Sequence, residues 1–184
     1  MKRAILTAMT VLAAAAALTG HAAAKPSLTV LLAGGAEESQ ITIALSTDGR
    51  TYVIDSVAPL EVGGDTCWHP EGMPNELLCE AASIGGFEVN AGAGDDSVVV
   101  AREVSIPVTL RGGPGADRLV GGGAGDKLTG GPDDDVLIGR GGDDSLFGGP
   151  GEDRLVGCGG NDVLRGESGV DTLLGGSGRN SVVQ

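Results

Sequence analysis

From Gly112 to Val183 the sequence divides without gaps into eight consecutive nonapeptides, and this phase constrains the fold more than any other feature. The cleanest unit is Gly148-Gly149-Pro150-Gly151-Glu152-Asp153-Arg154-Leu155-Val156, of the form G-G-x-G-x-D-x-U-x with U a large aliphatic. Position six is Asp117, Asp126, Asp135, Asp144, Asp153, Asp162 and Asp171, then Asn180 in the last unit. Position eight is leucine from Leu119 to Leu173, then Val182. A disordered low-complexity segment has no reason to keep an acid and an aliphatic in step over such a length. The array is therefore read as ordered.

Composition says what the order must overcome. The chain carries 34 glycines, four aromatics (one Trp, one Tyr, two Phe) and a formal net charge of -13. So little large apolar surface fills an ordinary two-layer core poorly, and so much negative charge repels both itself and nucleic acid. Acidic, glycine-rich sequence has two explanations, disorder or a fold neutralised by bound cations, and the periodicity favours the second.

The first residues read as an export signal over residues 1–24. Lys2 and Arg3 precede an apolar run from Ala4 to Leu18, and Ala22-Ala23-Ala24 suits cleavage after Ala24. The run is shorter than the roughly 20 residues of a membrane span, so no membrane insertion is expected. The predicted product is secreted, either extracellular or at the cell surface.

The repeats resemble the hemolysin-type, or RTX, calcium-binding nonapeptide. That resemblance implies an all-β fold, a parallel β-roll in which each nonapeptide is half a coil, with six residues of turn and three of strand. It implies Ca2+ as the cofactor, held between vertically adjacent turns. Aspartate supplies the hard oxygen that calcium prefers, and backbone carbonyls complete the coordination. Two units per coil place spatial neighbours 18 residues apart, so the acids sort into two columns. One is Asp117, Asp135, Asp153 and Asp171; the other is Asp126, Asp144, Asp162 and Asn180. Position-one glycines Gly112, Gly130, Gly139, Gly148 and Gly166 join them as candidate metal-site residues. Three gaps per column predict about six ions, the Asp162–Asn180 gap being weakest because an amide brings no charge. Asp96, in Ala91-Gly92-Ala93-Gly94-Asp95-Asp96-Ser97-Val98-Val99, heads an earlier unit set apart by 12 residues. The array is thus taken as 91–183.

Several units depart from the pattern. Ala124 and Asp133 replace the glycine at position four, and Arg140, Cys158 and Glu167 replace the one at position two. Position nine is apolar in one column, at Val120, Ile138, Val156 and Leu174, and strand alternation points these side chains outward. Such a stripe makes self-association, or contact with an extracellular protein or polysaccharide, a candidate use.

Residues 25–90 read as a divergent β-rich capping region. Ile41–Leu45 and Thr51–Ile54 flank Asp48-Gly49, a hairpin signal. Gly34–Ile41 can be laid on the nonapeptide with Ser39 where the acid belongs. Cys67 and Cys79 bracket a polar loop with two prolines and are the expected disulfide, worth roughly 3 kcal/mol; Cys158, on a repeat turn, is the odd one. No His-Glu-x-x-His and no Gly-x-Ser-x-Gly occurs, and His69 is the single histidine beyond residue 24, so no enzyme is expected. The reading is a calcium ion binding protein of structural or surface-associated role. The alternatives are a calcium-dependent adhesion or interaction module, or an accessory of a hydrolase.

Overall fold

A computed structural model describes residues 27–31, 38–56, 61–62 and 67–184. The expected signal segment 1–24 and the stretch Gly34–Glu37 of the decayed unit lie outside the described residues. Strands in the first half are β1 (Ser27–Leu31), β2 (Gln40–Leu45), β3 (Thr51–Ser56), β4 (Glu61–Val62), β5 (Cys67–Trp68), β6 (Glu76–Glu80), β7 (Gly86–Asn90), β8 (Ser97–Val100) and β9 (Val108–Arg111). The repeats add β10 (Arg118–Val120), β11 (Lys127–Thr129), β12 (Val136–Gly141), β13 (Ser145–Pro150), β14 (Arg154–Gly159), β15 (Val163–Ser168), β16 (Thr172–Ser177) and β17 (Ser181–Val183). One short 3-10 turn, Ala81–Ser83, is the helical content among the described residues.

From β6 onward the strands alternate between two sheets, giving an all-β solenoid of about 5 turns. One sheet runs β17-β15-β13-β11-β9-β7-β1-β4 and the other β16-β14-β12-β10-β8-β2-β3-β6-β5. Pairing through the array is parallel with a shift of 18: Leu119 lies beside Leu137, Leu137 beside Leu155, and Leu155 beside Leu173. Period-two alternation turns position eight inward, and Leu119, Leu128, Leu137, Leu146, Leu155 and Leu164 are fully buried. β16 and β17 are the outermost strands of their sheets among the described residues, and Val182 is 48% exposed.

The outward stripe is less uniform than alternation predicts. Leu174 is exposed and Ile138 and Val156 are half-buried, but Val120 is buried, flanked by its register partners Val99 and Ile138.

The N-terminal segment extends both sheets by a different pairing. β2 and β3 form the expected antiparallel hairpin around Asp48-Gly49, and β6 and β5 continue it. Cys67 and Cys79 face each other across β5 and β6 and are joined by the expected disulfide, while Cys158 is free and exposed. The core here is filled by a wider range of apolar side chains. Ile41, Ile43, Ile54, Leu77, Ile84 and Phe87 are buried, and Tyr52 meets Phe87 edge-on at 5.1 Å between centroids.

The 12-residue stretch 100–111 is itself a half-coil, three residues longer than a repeat. Its strand β9 pairs parallel with β7 and β11, Leu110 lying beside Leu128, so it carries an aliphatic in the position-eight place.

Candidate metal centre

The position-six aspartates stack along two edges of the roll. In one column Asp135 Oδ1 accepts the Asp117 N–H at 2.8 Å, Asp153 Oδ1 the Asp135 N–H at 2.9 Å, and Asp171 Oδ1 the Asp153 N–H at 3.0 Å. The same ladder runs on past the repeats: Asp117 Oδ1 accepts from Asp96 N, and Asp96 Oδ1 from Ser39 N. Asp96 and Ser39 thus occupy acid positions in this column. In the other column Asp144, Asp162 and Asn180 accept from Asp126, Asp144 and Asp162 in the same way. Each carboxylate so fixes the coil beneath it through one oxygen.

The second oxygen is the unusual one. Oδ2 of Asp96, Asp117, Asp135, Asp144, Asp153 and Asp162 is buried with no hydrogen-bond partner. An unpartnered buried carboxylate oxygen is among the costliest groups a protein can hold, several kcal/mol for an isolated charge. Within the repeats each of these Oδ2 atoms sits directly over the position-one glycine of its own unit: a Cβ on Gly112, Gly130, Gly139, Gly148 or Gly157 would stand 2.0–2.2 Å from Oδ2 of Asp117, Asp135, Asp144, Asp153 or Asp162, as one on Gly166 would from that of Asp171, whereas the Asp96 unit has Ala91 at position one. Glycine is required here to leave that space. On Gly148 the same Cβ would lie 2.2 Å from Asp153 Oδ2 and 2.9 Å from Gly166 O of the coil above. Carboxylate and carbonyl oxygens therefore converge on one small volume between successive turns.

Burial pushes the carboxyls of Asp135 and Asp144 up to about 7, and those of Asp117 and Asp126 to about 6, from the ordinary 3.8. Burial raises Asp153 as well. The amide donated by the coil below opposes the shift, and for Asp117, Asp135, Asp144 and Asp153 neighbouring carboxylates add to it. A cavity of oxygens that resists its own charge fits a hard divalent cation, which would satisfy the orphaned Oδ2 and remove the repulsion together. Among the described residues no three His, Cys, Asp or Glu side chains converge as a metal cluster. The donor set is instead one or two carboxylates per gap with backbone carbonyls, an oxygen shell of the sort calcium accepts.

Three features escape the periodic reading. Asp126 has both oxygens engaged, Oδ1 with Val108 N–H at 2.9 Å and Oδ2 with Gly122 N–H at 2.7 Å. Val108 and its register partner Phe87, both buried, occupy the acid position below Asp126. Asp171 and Asn180, in the last coil, are partly open, and Gln184 Nε2 reaches Asp171 Oδ2 at 3.4 Å. Four of the five departures at glycine positions keep the turn shape, since Asp133, Arg140, Cys158 and Glu167 all adopt φ between 77° and 81°, the left-handed region; the unit of Ala124 does not, with positive φ at neither Gly122 nor Ala124.

Residues 111–146, 120–155 and 147–182 each match the family model of the RTX calcium-binding nonapeptide repeat (4 copies). No curated protein and no solved structure matches the chain.

Proposed function

We propose that this chain, whose residues 111–182 are RTX calcium-binding nonapeptide repeats, is a non-enzymatic protein that folds its roll around Ca2+ outside the cell. The family binds Ca2+. The observation that carries the reading to particular residues is the set of six buried, partnerless Oδ2 atoms.

These atoms favour a distribution other than three gaps per column. Asp96, Asp117, Asp135 and Asp153 would hold four ions in one column, with Asp171 closing the last gap. Asp144 and Asp162 would hold two in the other, with Asn180 closing it. Carbonyls of the position-one glycines of the coil above, Gly112, Gly130, Gly148 and Gly166 in one column and Gly157 and Gly175 in the other, complete the shell, while Gly139 seats the Asp144 carboxylate. Asp126 is the poorest ligand because the Gly122 amide already uses its free oxygen. Bound calcium supplies positive charge where stacked carboxylates otherwise oppose one another. The chain's part is to fix those carboxylates through Oδ1, keep glycine beneath Oδ2 and exclude water with the leucine row.

The export reading rests on the charged and apolar residues at the start of the sequence and on a disulfide, which persists in oxidising compartments. Calcium sites of extracellular modules commonly bind at roughly 10⁻⁴–10⁻³ M, and a titration should span that range. Calorimetric titration of residues 25–184 with calcium, after chelation, tests the proposal. About six ions per chain, bound with a gain of β circular dichroism, are expected; no heat of binding and an unchanged spectrum would sink it.

A further inference from the structure

Arg140 stands at repeat position two, glycine in five of the eight units, and lies in the left-handed region at φ 78°. Its side chain reaches back two coils: Nη1 donates to the carbonyl of Gly121 at 3.2 Å and to that of Val100. Gly121 and Gly139 are position-one residues of successive coils in the Asp126 column, and Val100 opens the half-coil below them.

Elsewhere a position-one carbonyl shares its space with the Oδ2 of the coil beneath. A Cβ on Gly157 would stand 2.2 Å from Asp162 Oδ2 and 2.6 Å from Gly175 O. At Gly121 that partnership fails, because the residue level with Asp126 in the coil beneath is Val108, whose amide donates to Asp126 Oδ1. The gap has the carbonyl but no carboxylate. It holds the Arg140 guanidinium.

We infer that Arg140 is a tethered cation that closes the first gap of this column, where the roll takes no ion. A guanidinium is permanently charged and presents its donors in a fixed fork, so it binds carbonyl oxygens without dissociating as calcium falls. It joins half-coil 100–111 to the units that begin at Gly121 and Gly139. The charge-assisted bonds also account for a long side chain at a backbone conformation that disfavours one. The comparison with ion-holding gaps rests on the calcium reading above; the guanidinium contacts do not.

Four forms of residues 25–184 test this: the natural chain, Arg140→Gln, Val108→Asp, and the double variant, each titrated with calcium by calorimetry and followed by amide hydrogen exchange. Arg140→Gln should bind as many ions as the natural chain, while the amides of Ala101, Val104 and Gly123 exchange about tenfold faster, the effect of losing one charge-assisted bond. Val108→Asp alone should gain no ion, its new carboxylate pairing with Arg140. The double variant should gain one. Unchanged exchange in Arg140→Gln overturns the inference, as does an extra ion in Val108→Asp alone or none in a folded double variant. If the two chains carrying Val108→Asp do not fold, exchange in Arg140→Gln decides. A natural chain that binds no calcium would sink the earlier proposal yet leave the exchange comparison standing.

Discussion

The N-terminal segment and the repeat array share the same two sheets and fill them by different chemistry. Around β2, β3 and β6 the interior is closed by Ile41, Ile43, Ile54, Leu77, Ile84 and Phe87, with an aromatic contact between the layers. In the array each half-coil from Gly112 to Arg165 contributes one buried leucine and one buried acid. The acid position itself records the change. It is Ser39 at the foot of one column and Phe87 and Val108 at the foot of the other, then aspartate upward. Where apolar side chains suffice to hold successive coils, the column carries no charge; where they do not, it carries carboxylates that need a counter-ion. The comparison teaches that one pair of sheets can be closed by apolar burial at one end and can call on cations at the other.

The largest effect should come from removing calcium. Amide exchange in chelator is expected to leave β2, β3 and β6 protected and to strip protection from β13 to β17, since metal-binding free energy is folding free energy there. Uniform loss, or uniform retention, would break the comparison. Acidity comes next. Without calcium, the raised carboxyls of Asp117, Asp126, Asp135 and Asp144 bind protons more tightly in the folded roll than in the unfolded chain. Stability from that source is present below the ordinary carboxylate pKa and is lost as pH rises through about 6 to 7. With calcium the order reverses, because protons compete for the same oxygens and the calcium midpoint should climb as pH falls below about 7. Circular dichroism across this range, with and without chelator, reads both arms; parallel curves would contradict them. The smallest effect is local. Glu167→Gly relieves a left-handed φ of 79° and should raise the stability of the calcium-loaded roll by about 1 kcal/mol, seen as a small rise in Tm, with no change in the N-terminal segment.

Much of this was legible in the sequence because the repeat repeats its environment. Once Leu119 and Leu137 are known to stack, every position-eight leucine has its place, and every position-six aspartate with it. The Asp48-Gly49 hairpin and the Cys67–Cys79 pair were readable from short-range chemistry. Half-coil 100–111 was not: three extra residues hide its phase, and Val108 shows no acid to mark the position it fills. The Arg140 contacts escaped for a different reason, since residues 40 apart meet only through the stacking of coils. Ala124 marks the Asp126 unit as irregular in sequence, but that the Gly122 amide takes up its second oxygen is seen only in the structure.

The Oδ1 ladder has a consequence for how such a chain can grow. Each acid holds the amide of the residue one full coil below, so the column counts residues in steps of 18 within the array. Insertion of a single nonapeptide would send every later turn to the opposite edge, parting the proline-bearing turns at Pro114 and Pro132 from the one at Pro150; insertion of a pair leaves every neighbour of the same kind. An odd length is absorbed only where no acid of the second column lies beneath. The 21-residue coil from Asp96 to Asp117 is placed there. Length in this protein is therefore governed by parity, and its permissive joint is the half-coil that carries Val108.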